Sequence, residues 1–547
     1  MAKRWLILPK QSSNITEQLL INRKIKKEDW ASFLNPDFEK GLYEPLLMKG
    51  MKEAIQRIGI AVQNKETVGI FGDYDADGIP GAALLYDFLS KLGLEVKVYI
   101  PSREHGYGLN KEGIEILKQE GVRLIIAVDL GVRNIEEISF AKKNNLDVVV
   151  VDHHEMGEKT PDCIIVNPKQ KGDKYPFKEL AATGVVFKLL QGLSKEFKNI
   201  HKNYLKWALD LVAISTICDV VPLISENRIF AKFGLLVLRK TGRVGLKELY
   251  KKASITPQNI DTYSVGFQIG PRLNAPGRMK QANESYYLLT THNRSEASRL
   301  AEKLDQINRQ RRGELERVLK EAREKVCRDG LDKKKVIMVS GKNWPHGIIG
   351  LVAGKLMEEF ARPVIVCERR EKDLRGSARS IDTYNIIEAL DEAKTYLTRY
   401  GGHKKAAGLS LKLEHLSNLY DKLLEVAESK LKDEDLVPKI TVDAKLRLEE
   451  INLSLLEEIQ KFEPFGLGNP RPVFCLEKVT ASDLRGVGKE NKHLKFKVGN
   501  IGAIGFDLGK LLKDFKDSSS CDIVFTLDED IWDGRRKVQL KVVDIKI

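Results

Sequence analysis

Three short segments concentrate groups that can bind metal: Asp73-Tyr-Asp75-Ala-Asp77-Gly78, Asp129-Leu-Gly131 and Asp152-His153-His154. Each follows an apolar, largely β-branched run, at residues 67–72, 123–128 and 147–151. A lone Asp at a strand end is ordinarily a turn former or a cap. Here three strands deliver acids or imidazoles, and Asp219, behind a buried helical stretch, adds a fourth group. So many carboxylates at one place repel strongly unless cations lie among them. Oxygen-rich ligation with one imidazole suits Mn²⁺ or Mg²⁺ better than structural zinc. Two such ions about 4 Å apart can clamp the attacking and leaving oxygens of a phosphoryl displacement. On this reading Asp75 and Asp77 serve different ions, Asp129 bridges both, and His153 and Asp219 complete the second. His154 faces the phosphate. The chemistry is metal-assisted phosphoester hydrolysis.

Other readings of the first cluster stay open at this point. Asp73-x-Asp75-x-Asp77-Gly78 matches the start of a calcium-binding EF-hand loop, but the twelfth position, where that loop needs a bidentate Glu, is Leu84. Asp75-x-Asp77-Gly78 is also similar to the haloacid-dehalogenase phosphatases, whose nucleophilic Asp follows a strand and which need no paired histidines.

The elements that must position these groups are readable from periodicity. From about residue 66, strand-like runs at 67–72, 95–100, 123–129, 147–152 and 163–167 alternate with helical patterns such as 82–92 and 113–120. That alternation predicts βαβ units around a parallel sheet, and ligands bind outside the carboxyl ends of such strands. Residues 204–217 read as one buried helix. Asn293 with Glu296 fits a capping box opening a long helix, and Gly330 fits its stop. Leu300, Leu304, Ile307, Leu315, Val318 and Ala322 share one face of it. Arg309, Arg311, Arg312, Arg317 and Lys320 mark a solvated opposite face. A second α/β unit follows, with strands at 335–340 and 363–367 around a helix at 348–360. Residues 427–438 read as a charged linker. Beyond about residue 439 short strands at 439–446, 473–479, 493–498, 521–527 and 537–547 predict a small all-β barrel.

At 547 residues the chain is long enough for about three or four domains. Its 91 Lys+Arg against 77 Asp+Glu give +14, with both signs interspersed, which points to a folded protein with basic surfaces and a polyanionic partner. No apolar stretch approaches the roughly 20 residues that span a bilayer, and the run at 5–8 ahead of Pro9 is too short for a signal-peptide core. The six cysteines are widely spaced, with no CxxC pair. A reducing, cytoplasmic setting without membrane contact is expected.

Taken in order, Asp73-Tyr-Asp-Ala-Asp-Gly78, Asp129-Leu-Gly131, Asp152-His153-His154 and Asp219-Val-Val-Pro222 resemble motifs I to IV of the DHH phosphoesterase superfamily. Within it, the stretches Pro101-Ser-Arg-Glu-His-Gly-Tyr-Gly108, Pro271-Arg-Leu-Asn-Ala-Pro-Gly-Arg278, His346-Gly-Ile-Ile-Gly350 and Gly376-Ser-Ala-Arg379 are similar to the RecJ family. That family comprises bacterial single-strand-specific 5′→3′ DNA exonucleases. Gly401-Gly-His403-Lys-Lys-Ala-Ala-Gly408 resembles the DHHA1 domain that accompanies many DHH domains. Pro464-Phe-Gly-Leu-Gly-Asn-Pro470 resembles the start of the family's OB-fold module. The likeness covers almost the whole chain. It implies an α/β protein: an N-terminal segment (1–65) packing on a parallel-sheet DHH catalytic domain (66–290), a connecting long helix (291–330), an α/β DHHA1 domain (331–430), and a C-terminal all-β OB-fold (439–547).

Carried over residue by residue, the resemblance implies Asp75, Asp77, Asp129, His153 and Asp219 as ligands of a two-metal Mn²⁺ or Mg²⁺ site. Asp129 and His154 would be catalytic. Arg103, Arg272, Arg278, Ser377, Arg379 and His403 would hold the terminal 5′-phosphate and the next backbone phosphates. One departure from the pyrophosphatase branch is Phe71, where that branch has a ligand His four residues before the first ligand Asp; its loss implies weaker binding of the first ion. The barrel offers Phe465, Phe474, Phe496, Phe506 and Trp532, with Lys478, Arg485, Lys489, Lys492 and Lys495 nearby in sequence, as material for single-strand binding. Most of those phenylalanines read as core. Further implied are a monomer, cooperation with a single-strand-binding protein and a DNA helicase, and roles in DNA recombination and repair. The rival readings are a DHH/DHHA1 phosphodiesterase for cyclic dinucleotides or short oligonucleotides, disfavoured by the long C-terminal module, and a non-catalytic replication scaffold, disfavoured by the intact ligand set.

Overall fold

Five runs rich in Val, Ile and Leu pair side by side in parallel, in the order Val96–Tyr99, Thr67–Gly72, Val122–Val128, Asp147–Val151, Ile164–Val166. Alternate residues of a strand point to opposite faces. Val68, Ile70, Leu124 and Ile126 enter one apolar cluster, while Phe71, Ile125, Ala127 and Val150 enter another. Both faces are therefore covered, which is why these strands carry no polar alternation. The second strand in sequence lies outside the first, so the strand order reverses between Thr67–Gly72 and Val122–Val128. Such a switch point leaves a crevice at the carboxyl ends of its two strands. Phe71 is fully buried against Tyr99, with ring centroids 4.9 Å apart.

The computed structural model describes residues 3–101, 108–198, 200–201, 203–278, 283–513, 515–532 and 535–547. The chain divides into two compact units: Ile7–Asp305 with Thr441–Ile547, and Met1–Leu6 with Gln306–Ile440. The C-terminal barrel thus belongs with the catalytic sheet. Its strands Phe474–Val487, His493–Val498, Ile501–Gly505, Arg535–Lys546 and Ser520–Trp532 pair in that order, and the last returns to the first to close the barrel. Register breaks at Leu476/Val479 and Ser482/Arg485 supply the bending that closure requires. Ile501–Gly505 escapes the sequence reading because Gly502 and Gly505 dilute its β pattern. The module is also not all strand, since the helix Leu453–Gln460 precedes the barrel.

The N-terminal segment divides between two cores. Met51, Ala54, Ile55 and Ile58 join the catalytic core, but Leu19, Leu20 and Phe33 join the core of the barrel. The tie between the parts is Arg228, 2% exposed. Its guanidinium donates to the carbonyls of Phe33 (2.7 Å), Phe462 (2.7 Å), Lys461 (3.0 Å) and Glu463 (3.0 Å), and lies over the Phe33 ring. Burial lowers its pKa to about 10, with Arg23 adding to the shift. It remains a cation at neutral pH, solvated by carbonyl dipoles at the end of one helix and the turn after another.

Residues 204–217, expected as one helix, form two, Tyr204–Trp207 and Leu209–Cys218. The helix Arg294–Arg328 is 35 residues long. Asn293 Oδ1 accepts from the amides of Ser295 and Glu296, but Glu296 turns to the Thr291 hydroxyl rather than closing a box on Asn293. Arg317 pairs with Glu314 and Glu321 along the helix, consistent with a solvated face, whereas Arg311 is buried beside Asn308.

In the second unit a mixed sheet runs Arg399–His403, Ala406–Lys412, Asp373–Arg379, Val364–Arg369, Ile337–Gly341; only the last pair is parallel. Residues 427–430, read as linker, complete the helix Leu416–Lys430. Ala427, Leu431 and Leu436 are buried, so the charged stretch hides an apolar face. Among the described residues no helix is long and apolar enough to cross a membrane.

Candidate metal centre

The loop after Thr67–Gly72 is held tightly. Asp75 Oδ1 accepts from the amides of Asp77 (2.8 Å) and Gly78 (3.0 Å), and the Ala76 amide donates to Asn274 Oδ1 (2.7 Å). Gly78 has no alternative: a Cβ there would lie 2.6–2.7 Å from three Asp73 atoms. Gly277 is equally constrained, with Tyr74 O 2.7 Å from its would-be Cβ. The Pro271–Arg278 stretch thus acts first as a brace for the aspartate loop. Asp77 is buried at the start of the helix Ala182–Glu196, accepting from the amides of Ala182 (2.7 Å) and Thr183 (2.8 Å) and from the Ser215 hydroxyl (2.5 Å). A helix N-terminus stabilises that negative charge.

Asp129 leaves its strand with φ 65° and is followed by Gly131 at φ 119°. The left-handed turn, which Asp tolerates better than most residues, carries its carboxyl back over the sheet end. There it belongs to two clusters, one with Asp73 and Asp75 and one with His153 and His154; Asp77, His153 and Asp219 form a third. In each, one ligand atom per residue lies within 4.8 Å of the others.

His153 supplies the decisive geometry. Its Nδ1 lies 3.0 Å from the Leu180 carbonyl, which only accepts, so Nδ1 carries the proton and Nε2 presents a lone pair. That Nε2 is buried and makes no hydrogen bond among the described residues. Around it stand Asp129 Oδ1 at 3.4 Å and Asp77 Oδ2 and Asp219 Oδ2 at 3.7 Å each. A lone pair ringed by carboxylate oxygens is repulsive until a cation sits among them. Burial pushes the Asp129 carboxyl well above the usual range, and the charges of Asp77 and Asp75 push it further. Burial and the same two charges raise Asp219 to about 9. Asp73 is raised by burial and by Asp75. Burial lowers His153, favouring the neutral ligand form. The donor set of hard oxygens and one neutral imidazole fits Mn²⁺ or Mg²⁺.

Two contributors were missed from the sequence. Asp73, taken there only as part of the motif, stands in a cluster with Asp75 and Asp129. Asp152, fully buried, accepts from His154 Nδ1 (2.7 Å) and from the amides of His153 (2.7 Å) and His154 (3.1 Å). It fixes the His154 tautomer with Nε2 on the opposite ring edge. Burial alone would lower the His154 pKa, but the Asp152 hydrogen bond and charge raise it. The signal was present, because Asp152 directly precedes both histidines.

The phosphate-binding expectations fare unevenly. Arg272 is engaged within its own region: its Nε and Nη2 each lie 2.9 Å from Asp305 Oδ1 and its Nη1 donates to the Gln268 carbonyl (2.8 Å). Arg278 ends the bracing helix Gly270–Arg278 and is half-buried. In the second unit, Ser377 and Arg379 stand two residues apart on one strand. Cross-strand register aligns Ser377 with Gly408 and Gly401, and Arg379 with Ala406 and His403. A Cβ on Gly401 or Gly408 would meet nothing within 4 Å, leaving open backbone beside Ser377. Gly350 of the helix His346–Phe360 lets Arg379 lie against that helix, 3.1 Å from a would-be Cβ. Arg103 and the Trp532 ring lie outside the described residues. In the barrel, Phe474 and Phe496 fill the core and Phe465 is buried beneath Arg471, while Phe506 is exposed beside His493.

Comparison with known proteins agrees with this architecture. Residues 67–216 match the N-terminal domain of the DHH family, 333–433 the DHHA1 domain and 442–544 the RecJ OB domain. The single-stranded-DNA-specific exonuclease RecJ of Bacillus subtilis is 39% identical over 541 residues, covering 97% of this chain and 68% of its own length. The protein of the same name from Haemophilus influenzae is 33% identical, covering 92% of each chain. The crystal structure of Thermus thermophilus RecJ in complex with Mn²⁺ superimposes with a TM-score of 0.84 at 27% identity, over all of this chain and 79% of that one; its Mg²⁺ complex gives 0.78 at 25% identity, over all of this chain and 78% of that one. The chain belongs to the RecJ family of DHH phosphoesterases.

Proposed function

We propose that this chain is a Mn²⁺- or Mg²⁺-dependent exonuclease that hydrolyses single-stranded DNA from its 5′ end and releases mononucleotides. The observation that carries the reading is the His153 lone pair ringed by three carboxylates, in a chain whose relatives are named as such exonucleases. Asp77, Asp219 and His153 would hold one ion and Asp75 and Asp73 the other, with Asp129 between them. Bound there, divalent cations supply Lewis-acid stabilisation of the charge that builds on the phosphoryl oxygens. The protein's own task is to hold the acids in place against their repulsion, through the helix N-terminus at Asp77, the left-handed turn at Asp129 and the Asn274 brace. His154, held through Nδ1–H by Asp152, whose hydrogen bond and charge raise its pKa and favour the protonated ring, would in that form donate from Nε2 to a phosphoryl oxygen.

Substrate phosphates are assigned to Arg278, Ser377, Arg379, His403 and, from the motif alone, Arg103. Arg's planar fork and Ser's hydroxyl suit phosphate oxygens. On the barrel, Arg485 and Lys495 stand directly opposite each other across two strands. Like charges in that position cost stability, which a polyanion bound over them offsets. Recombination and repair, a cytoplasmic setting, a monomeric state and cooperation with a single-strand-binding protein and a helicase are carried by the family resemblance. The domain limits at 65, 290, 330 and 430 are retained as proposed boundaries.

Metal removal tests the reading. Enzyme dialysed against excess chelator is expected to lose all nuclease activity on single-stranded DNA and to regain it with Mn²⁺ or Mg²⁺. Full activity in chelator would refute the metal centre, and preferential hydrolysis of a cyclic dinucleotide after restoration would favour the rival phosphodiesterase.

A further inference from the structure

The bracing helix Gly270–Arg278 is entered through a wide turn, Ser264–Ile269, wound with the i→i+5 pattern, a geometry frequent at functional sites. This turn buries Val265 and Ile269 but leaves Tyr263 and Phe267 61% and 69% exposed. A single exposed aromatic is ordinary. Here the two rings are stacked, with centroids 4.9 Å apart and planes 24° from parallel, so each covers one face of the other and the outer ring surface of the pair is left open to solvent.

The position of that face is informative. On one side it adjoins the Asp219 end of the metal centre: Gly270 packs so closely on Cys218 that a Cβ would fall 2.3 Å from Sγ, and the Cys218 thiol points at the Val265 carbonyl. On the other side lies the loop that leads into the barrel. Glu463 is raised by burial, lowered by Arg471, and raised again by the charge of Asp261, two residues before Tyr263. The Leu223 amide donates to the Leu467 carbonyl (2.7 Å), bringing exposed Leu467 beside the segment that follows Asp219. All of these residues belong to one compact unit.

We propose that Tyr263 and Phe267 form a stacking platform for the bases of the single strand between the barrel and the carboxylate cluster. The occupant is a base rather than an apolar side chain because a parallel ring pair offers a planar face, and base stacking on such a face is tolerant of sequence. It also discriminates by strandedness. The faces of paired bases are hidden inside a duplex, whereas a single strand can turn one outward. This assignment rests on the single-strand reading above and adds residues to it.

The test uses the full chain with Mn²⁺ and phosphorothioate oligothymidylate, which resists hydrolysis. The double variant Tyr263→Ala/Phe267→Ala is expected to bind this strand on the order of tenfold more weakly and to bind Mn²⁺ as before. Its salt dependence of binding should be unchanged, because no phosphate contact is lost. A strand of the same length whose sugars lack bases should bind the parent and the double variant alike. Phe267→Trp should keep the affinity for oligothymidylate, and Phe267→Leu, which retains bulk without a ring, should lower it if the double variant proves unstable. Parent-like binding of oligothymidylate by the double variant, or by Phe267→Leu where that stands in for it, would overturn the platform, as would equal weakening of the baseless strand. If the parent cleaves no single strand in Mn²⁺, the functional reading itself fails; if it cleaves while the variants bind normally, only the platform does.

Discussion

Asp129→Ala should reduce turnover of single-stranded DNA by about a thousandfold or more. Asp129 shares one cluster with Asp73 and Asp75 and another with His153 and His154, so its loss weakens the holding of both proposed ions. Lewis-acid stabilisation of the transition state is worth several kcal/mol, and each 1.36 kcal/mol is tenfold in rate. Ala also accepts φ 65° less readily than Asp, so the turn itself relaxes. Asp129→Asn separates the two effects, because Asn tolerates the same turn but carries no charge. Single-turnover hydrolysis with Mn²⁺ titration should show Asp129→Asn nearly as slow as Asp129→Ala, with Mn²⁺ bound more weakly in both. A rate within tenfold of the parent would remove Asp129 from the centre.

Arg228→Met should destabilise the first unit by about 3 kcal/mol, from buried carbonyls left without a donor. The guanidinium satisfies the carbonyls of Phe33, Lys461, Phe462 and Glu463 at once. Met fills comparable volume but donates nothing, leaving buried acceptors that each cost about 1–3 kcal/mol unless water reaches them. Arg228→Lys should fall between, since one ammonium has three donors. Urea unfolding measures both. A Met variant as stable as the parent would show that the tie is incidental. Because Leu223, four residues beyond Asp219, also bonds the Leu467 carbonyl, weakening this junction is further expected to lower activity in urea before global unfolding.

Much of the centre was legible in the sequence because it depends on two local regularities. Fully apolar runs mark buried parallel strands, and such strands place their next residues at a common edge. Asp75, Asp77, Asp129 and His153 follow from that logic, and Asp219 from the end of an apolar helix. What stayed hidden depends on partners far away in the chain. Thr16 bonds Glu458, and Arg23 bonds Asn469; nothing in the local pattern of residues 15–34 announces a barrel more than 400 positions later. The glycine- and proline-rich stretch around Arg272 gave no sign that its guanidinium pairs with Asp305, 33 residues further on. Asp152 was quoted in its motif but left without a role, since only the fold shows His154 Nδ1 pointing at it.

Polarity of attack tests the central claim most directly. Single-stranded DNA labelled at its 5′ end in one sample and its 3′ end in another is mixed with the enzyme and Mn²⁺, with Asp129→Ala as control. The account predicts that 5′ label appears at once as mononucleotide, that 3′ label stays in a steadily shortening strand, and that Asp129→Ala releases neither. Simultaneous release from both ends, or undiminished release by Asp129→Ala, would contradict it.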